Sequence, residues 1–164
     1  MTLVLGGIAS GKSAYAECLF SGAPNRQYIA TAQAFDVEME EKIRVHQMRR
    51  GSDWVTHDAQ IALPKKLASL RNQPVLVDCV TLWLSNLLLA EQPLENLFSE
   101  LEAAIKSHEG HLVIVSNEVG HSPVATTSLG RKFQNAQGHL NQRLASISDK
   151  VVFVTAGLPQ VIKA

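Results

Sequence analysis

Short apolar runs alternate with segments of helical periodicity along most of this chain. The apolar runs predict strands at 3–5, 27–31, 74–79, 111–116 and 151–155, with a brief extended piece at 54–56. The periodic segments predict helices at 12–20, 36–50, 63–70, 81–89, 94–107 and 129–147. The run Val75-Leu76-Val77 is continuously apolar, which is typical of a parallel strand covered on both faces. We therefore predict an α/β fold with a mostly parallel sheet and helices on both faces.

Length and composition add a few limits to this picture. The 164 residues contain no linker-like segment and no repeat, so a single domain spanning 1–164 is predicted. Lys+Arg and Asp+Glu both number 15, and the net charge of zero gives no support to a nucleic-acid partner. The longest apolar stretch, 80–90, is interrupted by polar residues and is too short to cross a bilayer. With two cysteines and no leader-like N-terminus, reduced thiols and a cytoplasmic location are expected.

A phosphate-binding motif directly follows the first predicted strand. The residues Gly6-Gly7-Ile8-Ala9-Ser10-Gly11-Lys12-Ser13 match the pattern G-x-x-x-x-G-K-[ST]. Its glycines let the backbone curl so that successive N–H groups point at phosphate oxygens, and the next helix adds the positive end of its dipole. Lys12 is placed to reach the β- and γ-phosphates, and the Ser13 hydroxyl to hold Mg²⁺. The alternative, a glycine-rich turn that binds nothing, is disfavoured by the strand-then-helix context.

Small and acidic residues follow the other predicted strands. Because ligands of open α/β sheets bind beyond the carboxyl ends of the strands, these positions are candidate site residues. Ala30, Thr31 and Ala32 are small enough to let a ligand approach, and Asp78 is placed like the carboxylate that positions Mg²⁺ in P-loop enzymes. Either Asp78 or Glu118 would alternatively cap a helix or remain solvated. The phosphate loop on the same sheet favours a functional role for Asp78 and leaves the role of Glu118 open.

The predicted helix 36–50 carries a cluster of basic side chains. Lys42, His46, Arg49 and Arg50 recur at helical spacing, which brings His46 beside cations. A solvated basic face explains this pattern, and from spacing alone it is the simpler interpretation. The functional interpretation is a phosphate-handling patch, in which neighbouring cations lower the pKa of His46 and keep the imidazole neutral and nucleophilic.

Taken together, the motifs of this chain resemble the adenosylcobinamide kinase/adenosylcobinamide-phosphate guanylyltransferase family of cobalamin biosynthesis. The resemblance extends over nearly the whole chain. Besides the phosphate loop, it depends on Tyr28-Ile29-Ala30-Thr31-Ala32, Asp36-x-Glu38-Met39, Ile43-x-x-His46-x-x-Arg49-Arg50, Trp54-x-Thr56, Asp78-Cys79-x-Thr81-Leu82-Trp83-Leu84-Ser85-Asn86-Leu87-Leu88, Ser116-Asn117-Glu118-Val119-Gly120, Gly138-x-x-Asn141-Gln142 and Gly157-Leu158-Pro159. The phosphate loop alone indicates a nucleotide, and the ordered set of later motifs is far more specific.

The resemblance implies a RecA-like P-loop enzyme with one antiparallel edge strand, assembled as a homotrimer. It implies phosphorylation of adenosylcobinamide by ATP or GTP, followed by transfer of GMP from GTP to the resulting phosphate, which gives adenosylcobinamide-GDP. The family's guanylylated histidine falls on His46, and Lys12 with neighbouring arginines would offset charge growing on the phosphates. The nucleotide-binding residues implied are Gly6, Gly7, Ile8, Ala9, Ser10, Gly11, Lys12, Ser13, Ala30, Thr31, Ala32, Arg49, Arg50, Asp58 and Asp78, with Mg²⁺ at Ser13 and Asp78.

The chain departs from the family's pattern in three places. Asp58 stands where the family has Glu, whose side chain is one methylene longer. The segment 120–125 lacks a second glycine and contains Pro123, and Gln134-Asn135 replaces an Arg-Asp pair. The second and third departures lie in the last third of the chain, which we assign to corrinoid docking or subunit contact.

Two other functions are alternatives to the bifunctional enzyme. A plain P-loop kinase for another small hydroxylated metabolite would leave His46 without a role. A nucleotide-binding regulatory module without turnover would bind GTP and form no cobinamide product. The joint presence of Lys12, Ser13, Asp78 and His46 favours the enzyme, because a pure binding module does not need all four.

Overall fold

The computed structural model describes residues 1–33 and 53–164 of the chain. A seven-stranded sheet runs through them in the order β3-β2-β4-β5-β1-β6-β7. The strands are β1 (Thr2–Gly6), β2 (Arg26–Ala30), β3 (Trp54–Asp58), β4 (Val75–Asp78), β5 (Leu112–Asn117), β6 (Lys150–Thr155) and β7 (Leu158–Lys163). Neighbouring strands pair in parallel except at one edge, where β7 is antiparallel to β6. The predicted α/β class is confirmed, and so is the antiparallel edge strand.

Helices cover both faces of this sheet. They are α1 (Lys12–Cys18), α2 (Leu63–Ser69), α3 (Val80–Leu89), α4 (Leu94–Lys106) and α5 (Ser128–Ile147). Pro64 stands in the first turn of α2, where its missing N–H leaves no helical bond unmade. Thr127 caps α5 by accepting a hydrogen bond from the Gly130 N–H at 3.1 Å. Pro93 immediately precedes α4 and separates it from α3, as the sequence predicts.

Side-chain alternation along the strands divides the core between the two faces of the sheet. On the α2–α5 face, the strands contribute Leu3, Leu5, Ile29, Val75, Val77, Leu112, Ile114 and Val151. On the α1 face, they contribute Val4, Tyr28, Leu76, Val113, Val115, Val152 and Val154. Because successive residues point to opposite faces, a continuously apolar run such as Val75-Leu76-Val77 supplies both cores. The α2–α5 face is the larger core and includes the fully buried Trp83.

The two edge strands differ from their predictions. Residues 157–159 are predicted to form a turn, but the turn is made by Ala156 and Gly157, with φ of 52° and 78°, and β7 already begins at Leu158. All of β7 is exposed, so it lacks the period of two that identifies a strand from sequence. At the other edge, the short extended piece is the paired strand β3. Its Trp54 lies against Phe20 with ring centroids 5.1 Å apart, which favours a packing role for the indole.

Two further predictions concern segments outside these elements. The helix predicted at 36–50 lies outside the described residues. Within the part of the chain that the structure describes, no helix combines the length and apolar character needed to cross a membrane.

Candidate active site

The phosphate loop, residues 7–11, leaves the carboxyl end of β1 and leads into α1. The Lys12 Nζ donates to the Gly7 carbonyl at 2.9 Å, which holds the ammonium group at the start of the loop. Gly11 has a φ of 92°, a left-handed conformation that glycine adopts without strain. A Cβ at Gly6 would come within 2.5 Å of the Ser10 Oγ and 2.6 Å of the Val154 carbonyl oxygen. The glycines at both ends of the motif are therefore required by the backbone of this loop.

The loop is anchored to the turn between β6 and β7. The Gly157 N–H donates to the Ser10 carbonyl at 2.8 Å. A Cβ on Gly11 would lie 3.1 Å from the Gly157 Cα, so the loop and the turn pack backbone against backbone. These contacts give Gly157 a structural role that the sequence alone does not reveal. Ile8, by contrast, is 91% exposed within the loop.

A serine, an aspartate and a tyrosine meet beside the loop. The Ser13 Oγ, in the first turn of α1, donates to Oδ1 of Asp78 at 3.3 Å. The Tyr28 hydroxyl, from β2, donates to Oδ2 of the same carboxylate at 2.9 Å. Asp78 ends β4 and pairs in register with Ala30 of β2. The two predicted metal-site residues, Ser13 and Asp78, are therefore in contact, and sequence reasoning assigned no role to Tyr28, although it lies in one of the motifs.

The oxygen donors at this point suit a small, hard cation. Mg²⁺ prefers oxygen ligands and usually takes few of them from the protein, with waters and substrate phosphates completing an octahedron. The Ser13 hydroxyl and the Asp78 carboxylate are donors of this kind. Over residues 1–33 and 53–164, no group of three or more His, Cys, Asp or Glu side chains is arranged to hold a metal. The donor set thus fits an ion that arrives with a nucleotide better than an ion held in an all-protein cage.

Thr31, which follows β2, is fully buried and holds two segments of backbone together. Its hydroxyl donates to the Cys79 carbonyl at 2.7 Å and accepts from the Cys79 N–H at 3.0 Å. Its own carbonyl accepts from Nδ2 of Asn86 at 2.8 Å. The Thr31 side chain therefore ties β2 to the junction of β4 and α3, whereas its neighbours Ala30 and Ala32 are partly exposed at this edge.

Cys79 lies next to the candidate site without offering a nucleophile. Burial, and after it the negative charge of Asp78, raises the pKa of the Cys79 thiol to about 11. The thiol therefore stays protonated at neutral pH, and a protonated thiol is a poor nucleophile. Cys79 and the exposed Cys18 are both free cysteines in the structure.

Asp58 ends the edge strand β3, where its side chain is exposed and pairs in register with Ala30. The preceding residue, His57, has its Nε2 at 2.8 Å from Oε1 of Gln27. Desolvation, followed by the positive charge of Lys66, lowers the pKa of His57, and the negative charge of Asp58 opposes this shift. The lowered pKa favours the neutral imidazole at pH 7, and its Nε2–H can donate to the Gln27 amide oxygen.

Glu118, whose role the sequence leaves open, makes hydrogen bonds to the backbone of Gly6 and Gly120. Its N–H donates to the Gly6 carbonyl at 3.0 Å, at the point where β1 ends. Its carboxylate accepts a hydrogen bond from the Gly120 N–H, two residues further along the chain. The carboxylate is therefore engaged in a local turn.

A neutral polar network lies on the α2–α5 face of the sheet, at the carboxyl ends of the strands. It consists of Thr81, Ser116, Gln137 and Asn141, each at most 5% exposed. The Ser116 Oγ donates to Oδ1 of Asn141 at 2.6 Å, and Nε2 of Gln137 donates to both of these oxygens at 2.9 Å. Thr81 and Asn141 also hold the backbone of Asn117, at 2.7 and 3.0 Å. Polar residues inside otherwise apolar segments were the available sequence signal for this network.

Three predicted site residues, His46, Arg49 and Arg50, lie outside the described residues. They belong to the segment 34–52, which connects the end of β2 to the start of β3 in the sequence. The remaining predicted positions are brought to one edge of the sheet. There Ser13 and Asp78 are in contact beside the phosphate loop, Ala30 and Asp58 are the last residues of β2 and β3, and Ala32 lies two residues beyond β2.

A parallel sheet with a phosphate loop between its first strand and first helix defines a P-loop nucleotide-binding fold. A solved structure described as a prototypical ATPase from the type III secretion system of pathogenic bacteria has the same fold, with a TM-score of 0.54 and 14% sequence identity. The likeness covers 94% of this chain and 50% of that one. At this identity it concerns the fold alone.

Sequence comparison then narrows the class to one family. The profile of the family described as cobinamide kinase / cobinamide phosphate guanyltransferase matches residues 2–162. The bifunctional adenosylcobalamin biosynthesis protein CobP of Pseudomonas aeruginosa is 41% identical over 98% of this chain and 96% of its own length. The proteins named CobU of Salmonella typhimurium and Escherichia coli are each 34% identical over 99% of both chains. The chain belongs to the cobinamide kinase / cobinamide phosphate guanyltransferase family, and the predicted resemblance is confirmed.

Proposed function

We propose that this chain catalyses two successive transfers in cobalamin biosynthesis. In the first, ATP or GTP phosphorylates the aminopropanol hydroxyl of adenosylcobinamide. In the second, GMP passes from GTP to adenosylcobinamide phosphate, giving adenosylcobinamide-GDP and pyrophosphate. The proposal is supported by the family match over residues 2–162 and depends above all on one observation, the contact of Ser13 with Asp78 beside the phosphate loop.

For the phosphoryl transfer, the loop amides would receive the phosphates of the nucleotide. Lys12, whose ammonium group lies at the Gly7 carbonyl, would contact the β- and γ-phosphates and offset the charge that develops as the phosphoryl group moves. Ser13 and Asp78 would hold a magnesium ion, which neutralises phosphate charge when bound. Other loop positions would contribute mainly through their backbone N–H groups; these are Gly6, Gly7, Ile8, Ala9, Ser10 and Gly11.

The strand ends beside the loop would line the rest of the nucleotide site. Ala30 and Ala32 leave room for close approach, and Asp58 presents an exposed carboxylate at the same edge. The hydroxyl of Thr31 is engaged by Cys79, so Thr31 would act by holding this edge in place.

For the guanylyl transfer, we propose His46 as the covalent carrier, on the strength of the family motif. A ring nitrogen of neutral His46 would attack the α-phosphorus of GTP; an N–P bond forms as the bond to pyrophosphate breaks. A phosphate oxygen of adenosylcobinamide phosphate would then attack that phosphorus and release the histidine. Arg49 and Arg50 would offset the charge on the phosphates during both steps.

The setting of these reactions is also a proposal. The family resemblance supports a cytoplasmic homotrimer that takes small-molecule corrinoid and nucleotide substrates and no nucleic acid. The zero net charge of the chain agrees with the absence of a nucleic-acid partner from this proposal. Sedimentation equilibrium at several protein concentrations would test the trimer directly.

The decisive experiment exposes the purified protein to GTP labelled on the α-phosphate. We expect one GMP to be added per chain, visible as a mass increase and as a label that is labile in acid and stable in base, as an N–P bond to histidine requires. His46→Ala should abolish the label while retaining part of the kinase activity. His108→Gln, which changes a histidine near the opposite end of β5, is the matched control and should label like the parent protein.

The outcomes separate the alternative functions. Absence of label with retained phosphorylation of adenosylcobinamide would leave a kinase alone. Equal loss of both activities in His46→Ala would indicate a structural role for that residue. GTP binding without any cobinamide product would contradict both enzymatic halves of the proposal.

A further inference from the structure

Tyr28 holds one oxygen of the Asp78 carboxylate, whose other oxygen accepts a hydrogen bond from Ser13 in the first turn of α1. Its hydroxyl donates to Oδ2 of Asp78 at 2.9 Å, while Ser13 donates to Oδ1 at 3.3 Å. The two donors come from different elements, β2 and α1, and take different oxygens. Together they restrict rotation of the carboxylate, so that Oδ1 is turned toward the serine side.

The tyrosine is a rigid donor because its ring is packed. Tyr28 is 4% exposed and lies in the core of the α1 face. Its ring meets Trp54 edge to face, with centroids 6.1 Å apart and an interplanar angle of 87°, and Trp54 in turn packs on Phe20. An aromatic side chain fixed in this way cannot follow a carboxylate that turns, so rotation of Asp78 would break the hydrogen bond.

We propose that Tyr28 is a positioning residue for the magnesium–nucleotide site, acting through Asp78. By engaging Oδ2, it keeps Oδ1 of Asp78 oriented beside the Ser13 hydroxyl, where a magnesium ion or one of its water ligands would be received. Mg²⁺ demands near-ideal octahedral geometry, so the orientation of a carboxylate that contacts it affects affinity. Residues that hydrogen-bond to metal ligands commonly change metal affinity about 10- to 100-fold when they are removed. This inference rests on the proposed function.

The test compares two single-atom deletions in the same apolar cluster. Tyr28→Phe removes the hydroxyl that contacts Asp78 and leaves the ring in place. Tyr15→Phe is the matched control, since Tyr15 lies on α1 and packs at the margin of the same core. Mn²⁺ serves as the probe in place of Mg²⁺. Its binding to the complex with a non-hydrolysable GTP analogue is followed by electron paramagnetic resonance, and analogue binding is also measured in EDTA.

We expect Tyr28→Phe to weaken Mn²⁺ binding about 10-fold, with little change in the affinity for the metal-free analogue. Tyr15→Phe should bind both like the parent protein. A purely structural role for Tyr28 would instead lower both affinities together. Mn²⁺ affinity within twofold of the parent protein in Tyr28→Phe would overturn the inference.

A double-mutant cycle establishes whether Tyr28 acts through Asp78. If it does, Tyr28→Phe has no further effect on Mn²⁺ affinity in an Asp78→Asn background. A full additive loss in the double variant would contradict that route. Unfolding curves are recorded for every protein, and titrations are run at a temperature at which all variants are folded. Failure of the parent protein to bind the analogue at all would overturn the proposed function instead. This outcome is measured on the parent protein alone.

Discussion

At the carboxyl ends of the strands, the two faces of the sheet carry opposite kinds of polar side chain. On the α1 face, Lys12 and Ser13 in the first turn of α1 and the partly buried Asp78 at the end of β4 lie beside the phosphate loop. On the α2–α5 face, the neighbouring positions carry the neutral network of Thr81, Ser116, Gln137 and Asn141. One face carries charged side chains that remain partly exposed, and the other carries buried, uncharged groups that bond to one another.

The difference shows what burial permits. Neutral hydroxyls and amides can be buried at little cost when they are paired, and the four members of the network are joined by contacts of 2.6 to 3.4 Å. A charged group would lose far more free energy on leaving water, and Lys12 and Asp78 accordingly remain partly exposed. The buried network fixes the carboxyl end of β5, because it hydrogen-bonds to the backbone of Asn117, which pairs with Gly6 at the end of β1.

The largest expected effect on this comparison comes from removing the loop's cation. Lys12→Ala should slow both transfers about 10²- to 10³-fold, equivalent to roughly 3–4 kcal/mol of transition-state stabilisation. The free energy of unfolding should hardly change, since one part-buried hydrogen bond is lost. Steady-state rates and urea unfolding measure the two quantities, with Lys65→Ala on exposed α2 surface as control. Unchanged turnover in Lys12→Ala would contradict the assignment of the phosphate loop.

The network should show the reverse pattern. Asn141→Ala removes the amide that joins Ser116, Gln137 and the Asn117 carbonyl, and leaves buried partners unsatisfied. We expect a loss of about 2–3 kcal/mol in the free energy of unfolding, measured by urea denaturation, with Mn²⁺ and nucleotide affinities almost unchanged. Asn135→Ala, an exposed amide on the same helix, should cost less than about 0.5 kcal/mol. A large loss of metal affinity in Asn141→Ala would mean that the two faces are coupled.

Asp78→Asn tests the metal side of the comparison with a smaller effect. The amide retains the size of the carboxylate but loses its charge, so the Mg²⁺ concentration needed for half-maximal kinase activity should rise about tenfold. The measurement is a Mg²⁺ titration at saturating nucleotide. A titration identical to that of the parent protein would remove Asp78 from the proposed site.

The smallest expected effect is on the pH dependence of stability. Desolvation by burial is the first cause that lowers the pKa values of His57, His108 and His111 below the usual 6.5. A proton therefore binds these imidazoles more readily in the unfolded chain, so these groups lower stability as pH falls below about 6.5 and have no effect well above it. Urea midpoints at pH 7.5, 6.5 and 5.5 should show this decrease.

Two variants sharpen that result. His57→Gln should reduce the slope of stability against pH in the acid range. Asn141→Ala should lower the whole curve without changing its slope, because the network contains no titratable group. An unchanged slope in His57→Gln would show that the imidazole is not held neutral by its surroundings.

Much of the fold was predictable because its signals are local. The alternation of apolar runs and helical periods predicts β1 to β6 and the described helices to within a few residues, and Asp78 is recognisable as an acid that ends a buried strand. The motif at residues 6–13 predicts its own loop, since the positive φ of Gly11 is a local requirement of the backbone. After the turn at 157–159 the residue pattern predicts no strand, because β7 has no buried face and therefore no periodicity to detect. The antiparallel edge strand is predicted by the family resemblance alone.

By itself, the sequence determined the class of fold, the phosphate loop, the family and the strand end on which an acid stands. These follow from near-neighbour chemistry: side-chain period, turn residues and motif spacing act over a few positions. Tertiary structure alone decided three hydrogen bonds: that of Tyr28 to Asp78, that of Thr31 to Cys79, and the buried one of Ser116 to Asn141. Those partners lie 25 to 50 residues apart, and their contact depends on strand order and register, which no local pattern contains.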